Sequence, residues 1–148
     1  GVPILIAHLV VFWYSQDSNV TPPVALAGFA GAAIAGSTPM ETSFQAWKYA
    51  KGLYLIPMFM VFNEAIIVGG PLPLVIWNGA LAIVALTAFA AMLEGFLFAP
   101  IPIWQRVALA PAIIAVFWPD LRVEATGAAV IVALLGWNAV VSRRSVAA

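Results

Sequence analysis

Eight consecutive residues, Gln16-Asp17-Ser18-Asn19-Val20-Thr21-Pro22-Pro23, hold the densest set of groups in this sequence that could do chemistry. Asp17 supplies a carboxylate, and Ser18, Asn19 and Thr21 supply uncharged oxygens. Pro22 and Pro23 have no N–H, and each disfavours the α conformation in the residue before it, so Thr21 and Pro22 are pushed out of a helix. In a continuous helix, residue 22 would donate to the carbonyl of Ser18 and residue 23 to that of Asn19. The two prolines are expected to leave both carbonyls free beside the side-chain oxygens. An oxygen-only cage of this kind suits a hard cation such as sodium, and half-helix ends in secondary transporters are where such cages occur. A helix starting after Pro22-Pro23 would also turn its positive N-terminal end toward an anionic group.

Catalysis is poorly served by comparison. The only histidine, His8, lies nine residues before Asp17, and no serine sits in a nucleophile elbow. The His-x-x-x-His spacing and carboxylate clusters of a metal enzyme are missing. With no cysteine, thiolate chemistry and Cys-based metal sites are excluded. No enzyme activity and no cofactor are expected, beyond sodium as a coupling ion.

The elements that must position the polar stretch are two apolar runs, Val2–Trp13 before it and Val24–Ala35 after it. Neither alone reaches the roughly 20 apolar residues that a helix needs to cross a bilayer. Together they cover one crossing, with a break over residues 16–23 near its middle. Each backbone group freed by such a break needs a partner in hydrocarbon, so a broken helix is tolerated only where protein packs on it or a wet cavity meets it. His8, an ionisable residue within this crossing, is a functional candidate by position; the plainer reading is a neutral imidazole bonded to a neighbouring helix. Gly28, Ala32 and Gly36, with Ala27 and Gly31, form ladders of small residues that let helices approach closely.

Composition agrees with a membrane setting. Of 148 residues, 64% are hydrophobic and 8% charged, with a mean hydropathy of +1.05, against about 25% charged in soluble domains. An all-α, multipass integral membrane protein is expected. Six basic residues balance six acidic ones, so no nucleic-acid partner is indicated. No basic segment precedes the first apolar run, which therefore lacks the form of a secretory signal. Because the sequence opens on Gly1, a piece of a longer polypeptide is the simpler expectation.

After the second apolar run, Thr38-Pro39-Met40-Glu41 has the form of a capping box with proline at the first helical position. The amphipathic helix it starts, roughly Pro39–Lys51, is expected on or near the membrane surface. Four further crossings or partial crossings follow. These are Leu53–Val68 with Pro57 inside it, Leu74–Leu93, Ile103–Trp118 with Pro111 inside it, and Val123–Val141. If they alternate, Lys48, Lys51, Arg106, Arg143 and Arg144 fall on one side and Arg122 on the other. The positive-inside rule makes the first side, and the C-terminus, cytoplasmic. Gly36 then lies near the cytoplasm, and the Asp17–Pro23 break falls close to mid-membrane.

The stretch Gln16–Val24, followed by an Ala/Gly-rich half-helix, resembles the late segment of the large membrane subunit of tripartite ATP-independent periplasmic (TRAP) transporters. The flanks agree: His8 and Phe12-Trp13-Tyr14 ahead, Ala33-Ile34-Ala35-Gly36 behind, then Pro39-Met40 and the helix of Phe44 and Trp47. The variant is most similar to fused TAXI-type permeases, and the resemblance covers about residues 3–68. It implies sodium-driven uptake across the bacterial inner membrane by an elevator mechanism, with a periplasmic solute-binding protein delivering a small carboxylate-type solute. By the same resemblance, Ser18, Asn19 and Thr21 with the adjoining backbone belong to a partial sodium site completed by the remainder of the permease, and Asp17 and Pro22 join them as ion- or substrate-binding candidates. Residues 1–70 would then end the transport region, and residues 71–148 would be a C-terminal membrane extension to which no mechanism attaches. Asn78, Glu94, Arg106 and Asn138 form no recognisable constellation. The competing reading is a small multipass structural or assembly protein whose polar break is a packing device.

Overall fold

The computed structural model describes residues 1–146, without the side chains of Lys51 and of residues 144–146. The side chains of Lys51 and Arg144, counted above for orientation, lie outside the described residues. The described chain is all-helical and divides into two compact units, Gly1–Val68 and Gly69–Ala148.

In the first unit, α1 spans Ile4–Asp17, α2 Leu26–Ala35 and α3 Pro39–Ala50. A 3₁₀ turn, Lys51–Tyr54, leads into α4, Leu55–Phe62, and α5, Ala65–Val68. The first helix runs further than the apolar pattern suggested, through Gln16 and Asp17, so the break covers residues 18–25 rather than 16–23. Helical hydrogen bonds ignore side-chain polarity; the first obstacle to them is the missing N–H of Pro22, four residues on from Ser18. At the far end of α2, Gly36 takes a φ of +65°, and its N–H and that of Ser37 both return to the carbonyl of Ala32. A residue without Cβ closes a helix this way at little cost.

The small-residue ladder has a direct structural use. Gly28 and Ala32 are buried, and Gly28 faces Ser43 of α3 so closely that no side chain fits between them. Gly31 faces Thr42 at a looser distance, so α2 and α3 run antiparallel as a tight hairpin. The Thr38 hydroxyl meets the Glu41 carboxylate directly, joining the two ends of the expected capping box. The Thr38 carbonyl accepts the N–H of Thr42. The amphipathic helix is therefore packed along α2, because its small buried face, centred on Ser43, complements the glycine ladder.

The apolar stretch Leu53–Val68 is not one helix. It divides into the 3₁₀ turn, α4 and the single turn α5, with an interruption at Asn63-Glu64 where Asn63 leaves the helical region (φ −126°, ψ 63°). Past it the ladder restarts: the Asn63 carbonyl accepts the N–H of Ile66 at 3.3 Å, and the Glu64 carbonyl those of Ile67 and Val68 at 2.9 Å.

In the second unit, α6 spans Leu72–Glu94, α7 Ile103–Val116 and α8 Leu121–Val146. Leu72–Glu94 and Leu121–Arg143 are each 23 residues of high mean hydropathy. At 1.5 Å per residue that is about 34 Å, enough for the roughly 30 Å hydrocarbon core. Helix α7 has 14 residues and reaches only about 21 Å. Among the described residues, two helices are thus long and apolar enough to cross a membrane. The core of this unit is small on one side and branched on the other: Ala85, Ala88 and Ala91 of α6 are buried, as are Leu109, Ile113 and Val116 of α7 and Ile131 of α8. Gly127 of α8 lies where a Cβ would sit 2.8 Å from the carbonyl of Ala112, so α7 and α8 touch backbone to backbone.

Candidate functional site

The break between α1 and α2 is more ordered than two missing N–H groups suggest. The carbonyl of Asp17 accepts from the N–H groups of both Val20 and Thr21, at 3.1 and 3.0 Å. The Thr21 carbonyl accepts from Ala25 at 3.1 Å, and the Ala25 carbonyl from Phe29 at 2.9 Å. The chain thus passes through Pro22 and Pro23, joined by a cis peptide, into α2. Ala25, fully buried, takes the left-handed region at φ +23°. A residue with a Cβ occupies that region at a cost of order 1–3 kcal/mol, so packing around Ala25 holds it there.

The two freed carbonyls part company. That of Asn19 is not free: it accepts the N–H of Ala27 at 3.0 Å, a bond that reaches across the break from the first turn of α2. This corrects the expectation from helix register, because a chain that leaves the helix can offer a donor from further along. The carbonyl of Ser18 accepts no backbone hydrogen bond among the described residues.

The side chains divide in the same way. Ser18 donates its hydroxyl to the Ser15 carbonyl at 2.7 Å, and Asn19 donates its amide to the Gln16 carbonyl at 3.1 Å. Both turn back on the last turn of α1 and satisfy its C-terminal carbonyls. Thr21 turns the other way, with its Oγ1 3.1 Å from Oη of Tyr54. Ser18 and Asn19 share one turn, therefore, while Thr21 belongs to a second cluster. Pro22 and Pro23 join Thr21 in lining an open groove of about 320 Å³, whose other wall is Met40, Phe44 and Trp47 of α3.

Asp17, the last residue of α1, is 7% exposed, and its Oδ2 has no hydrogen-bond partner. A buried carboxylate oxygen without a partner is costly, more so at the negative end of a helix. Asn63, at the second interruption of this unit, is 6% exposed with Nδ2 likewise unpartnered. Comparison of the chain with family models, curated proteins and solved structures gives no match. Among the described residues, no three His, Cys, Asp or Glu side chains come together as a metal-binding group would require. Oxygen donors at the break are what a hard cation would have to use.

One residue of this region, Tyr54, is not singled out by the sequence pattern. Tyr54 stacks on Tyr14, with ring centroids 6.4 Å apart, and its carbonyl accepts the Tyr14 hydroxyl at 3.1 Å. Its own phenol oxygen accepts the indole N–H of Trp47 at 3.2 Å. Tyr54 and Thr21 are 33 residues apart in sequence, and no spacing rule links them. The one available signal was a tyrosine in an otherwise apolar stretch, since a buried phenol is expected to find a partner.

His8 lies on an exposed face of α1, where Nδ1 donates to the Ile4 carbonyl of its own helix at 2.8 Å. The neighbouring-helix partner expected for it is replaced by a local one.

Several polar residues of the second unit bind its helices and its loop together. Asn138 Oδ1 accepts the N–H groups of Phe98 and Ala99, and its Nδ2 donates to the Ala99 carbonyl, binding the loop between α6 and α7 onto α8. Ser142 adds a hydroxyl bond to the Phe98 carbonyl at 2.9 Å. Arg106 donates to the carbonyls of Met92 and Leu93 at 2.7 and 3.2 Å, closing the negative end of α6 with a cation. Trp77 donates to Glu124 at 3.2 Å.

Proposed function

We propose that this chain is the C-terminal part of a fused TRAP-type permease embedded in the bacterial inner membrane, and that its broken helix contributes half of a sodium-coupled site for a carboxylate-type solute. The observation that carries the reading is the Asp17 carboxylate, buried at the end of α1 with one oxygen unpartnered. A buried polar atom left without a partner calls for an explanation, and an ion is one of the few available. The free carbonyl of Ser18 and the oxygens of Asn19 and Thr21 lie on the same eight-residue break. On this reading α1 with α2, α6 and α8 cross the bilayer, the C-terminus is cytoplasmic, and the remainder of the permease supplies the other ligands. A periplasmic binding protein delivers the solute. No chemical step is assigned to the chain, and sodium enters the reading as the coupling ion.

The test is uptake of a panel of radiolabelled small carboxylates by the full permease in proteoliposomes, with sodium varied against potassium. Ser18→Ala and Thr21→Ala should each raise the sodium concentration for half-maximal uptake. One lost ligand bond of about 0.5–1.5 kcal/mol corresponds to about two- to twelvefold.

A second reading has an observation of its own. Ser18, Asn19 and Thr21 all bond within the chain already, as they would in a packing device of a structural or assembly protein. In that case the same variants lower stability and leave the sodium dependence unchanged, which would sink the transport reading.

A further inference from the structure

At the end of the second unit where α6 stops and α7 starts, one cation stands beside an apolar groove. Arg106 donates its Nε–H to the Met92 carbonyl and an Nη2–H to that of Leu93. A guanidinium has five N–H donors, so three are left, both of those on Nη1 among them. Its two partners are neutral carbonyls, and among the described residues no carboxylate meets it. The Arg106 charge is therefore balanced only by the partial charge at the end of α6. The guanidinium borders an open groove of about 330 Å³ lined by Met92, Leu93, Ile103, Val107 and Ala110. Ile103 and Val107 are exposed, and with Ala110 they keep the i, i+4, i+7 spacing of one helix face. The groove thus leads from the cation onto an apolar stripe of α7.

The level of this cation along the helices is that of a lipid headgroup. Met92 and Leu93, whose carbonyls it meets, lie in the last turn of the 23-residue apolar helix α6. Asn138 and Ser142 hold Phe98 and Ala99 of the following loop beside the last turns of α8. The guanidinium therefore sits at the end of two apolar spans, not within them. Around it Phe96, Phe98 and Trp104 are each more than half exposed, the setting of aromatic residues at a membrane–water interface. Among the described side chains at this end, Arg106 and Arg143 outnumber the one acidic residue, Glu94.

We propose that this groove seats an anionic phospholipid: the phosphate takes the remaining N–H groups of Arg106, and one acyl chain lies along Ile103, Val107 and Ala110. A planar fork of donors matches phosphate oxygens. A ligand that is anionic at one end and apolar along its length meets both parts of the groove. A headgroup without an ammonium also brings a full negative charge to a cation that has no carboxylate. The proposal needs the membrane setting of the reading given above, and neither its ion nor its solute.

The experiment takes the full-length polypeptide that contains this chain, delipidated in detergent, and titrates it with phosphatidylglycerol or with phosphatidylcholine of the same acyl chains. Native mass spectrometry reads the bound lipid, and the unfolding midpoint is measured separately. Wild type should prefer phosphatidylglycerol, and Arg106→Met should reduce the preference by about fivefold, the worth of one basic residue at an anionic surface. Comparing two lipids in two proteins forms a cycle in which lipids bound elsewhere cancel. Val107→Trp fills the groove, alters no charge and leaves the bonds of Arg106 to α6 in place. It should lower the preference too, with the unfolding midpoint unchanged, and it carries the test should Arg106→Met fail to fold.

A wild-type protein that binds the two lipids equally, or a preference unchanged in either variant, overturns the lipid seat. So does displacement of phosphatidylglycerol by inorganic phosphate at equal concentration, which would need the cation and not the groove. A dimer that forms in lipid-free detergent and is lost in Val107→Trp puts a second copy of the chain in the groove, and overturns it likewise. None of these results alters sodium-dependent uptake, so the transport reading stands or falls on its own assay.

Discussion

Two neighbouring glycines of α2 should respond in opposite directions to the same substitution. A Cβ built on Gly28 lies 2.5 Å from Ser43 Oγ, 3.0 Å from Ser43 Cα and 3.1 Å from Ser43 Cβ. None of these can swing away. Ser43 is wholly buried, and its hydroxyl is held by the Pro39 carbonyl at 2.7 Å. A Cβ on Gly31 meets only Thr42 Cγ2, at 4.0 Å. Replacing glycine by alanine inside a helix stabilises it by about 0.8–1.0 kcal/mol, and overpacking a filled contact costs about 1–3 kcal/mol. Gly31→Ala should therefore be neutral or stabilising by up to about 1 kcal/mol. Gly28→Ala should be destabilising by up to about 2 kcal/mol once the two effects are combined. Adding Ser43→Ala to Gly28→Ala removes the 2.5 Å contact but leaves the backbone contact at 3.0 Å, so it should recover only part of the loss. The assay is detergent-solubilised unfolding of the full-length polypeptide, by heat or by titration with dodecyl sulfate. Equal effects of Gly28→Ala and Gly31→Ala, within about 0.5 kcal/mol, the usual scatter of surface substitutions, would refute the α2–α3 packing and with it the route by which α3 reaches the break.

Other tests address the second unit. Asn138→Leu keeps the volume but removes three hydrogen bonds to the loop residues Phe98 and Ala99. At about 1 kcal/mol per bond, a loss of about 3 kcal/mol is expected, with faster hydrogen exchange at those two amides; unchanged exchange would count against the staple. Arg106→Met should destabilise by about 1–3 kcal/mol, through two charge-assisted bonds to the end of α6. Arg106→Lys should restore less than half of that, since an ammonium lacks the fork that reaches two carbonyls.

The one-dimensional pattern was informative where a single residue decides the local conformation. Pro22 and Pro23 remove backbone donors whatever surrounds them, so the break was legible, although its start was set by hydrogen-bond register, not by the first polar residue. Pro39 at a helix start needs no tertiary partner to be read, and the Gly28–Ala32 spacing signals close approach without naming the partner. The Asn63-Glu64 interruption went unread, because one asparagine in an apolar run tips the balance only in a particular packing environment.

The all-helical class, the place of the polar break and the oxygens it can offer are legible before any fold is known. These follow from proline geometry, from the apolar content of the runs and from the absence of cysteine, all of which are local or compositional. Which of those oxygens stay available depends on packing. The Asn19 carbonyl is taken by Ala27 from across the break, Ser18 and Asn19 fold back on α1, and Thr21 is claimed by Tyr54 from 33 residues away. Likewise, Arg106 and Asn138 became a helix cap and a loop staple only when α6, α7 and α8 packed together. The physical reason is the same in each case. A hydrogen bond depends on distance and direction between two groups, and residues far apart in sequence acquire those only when the chain folds.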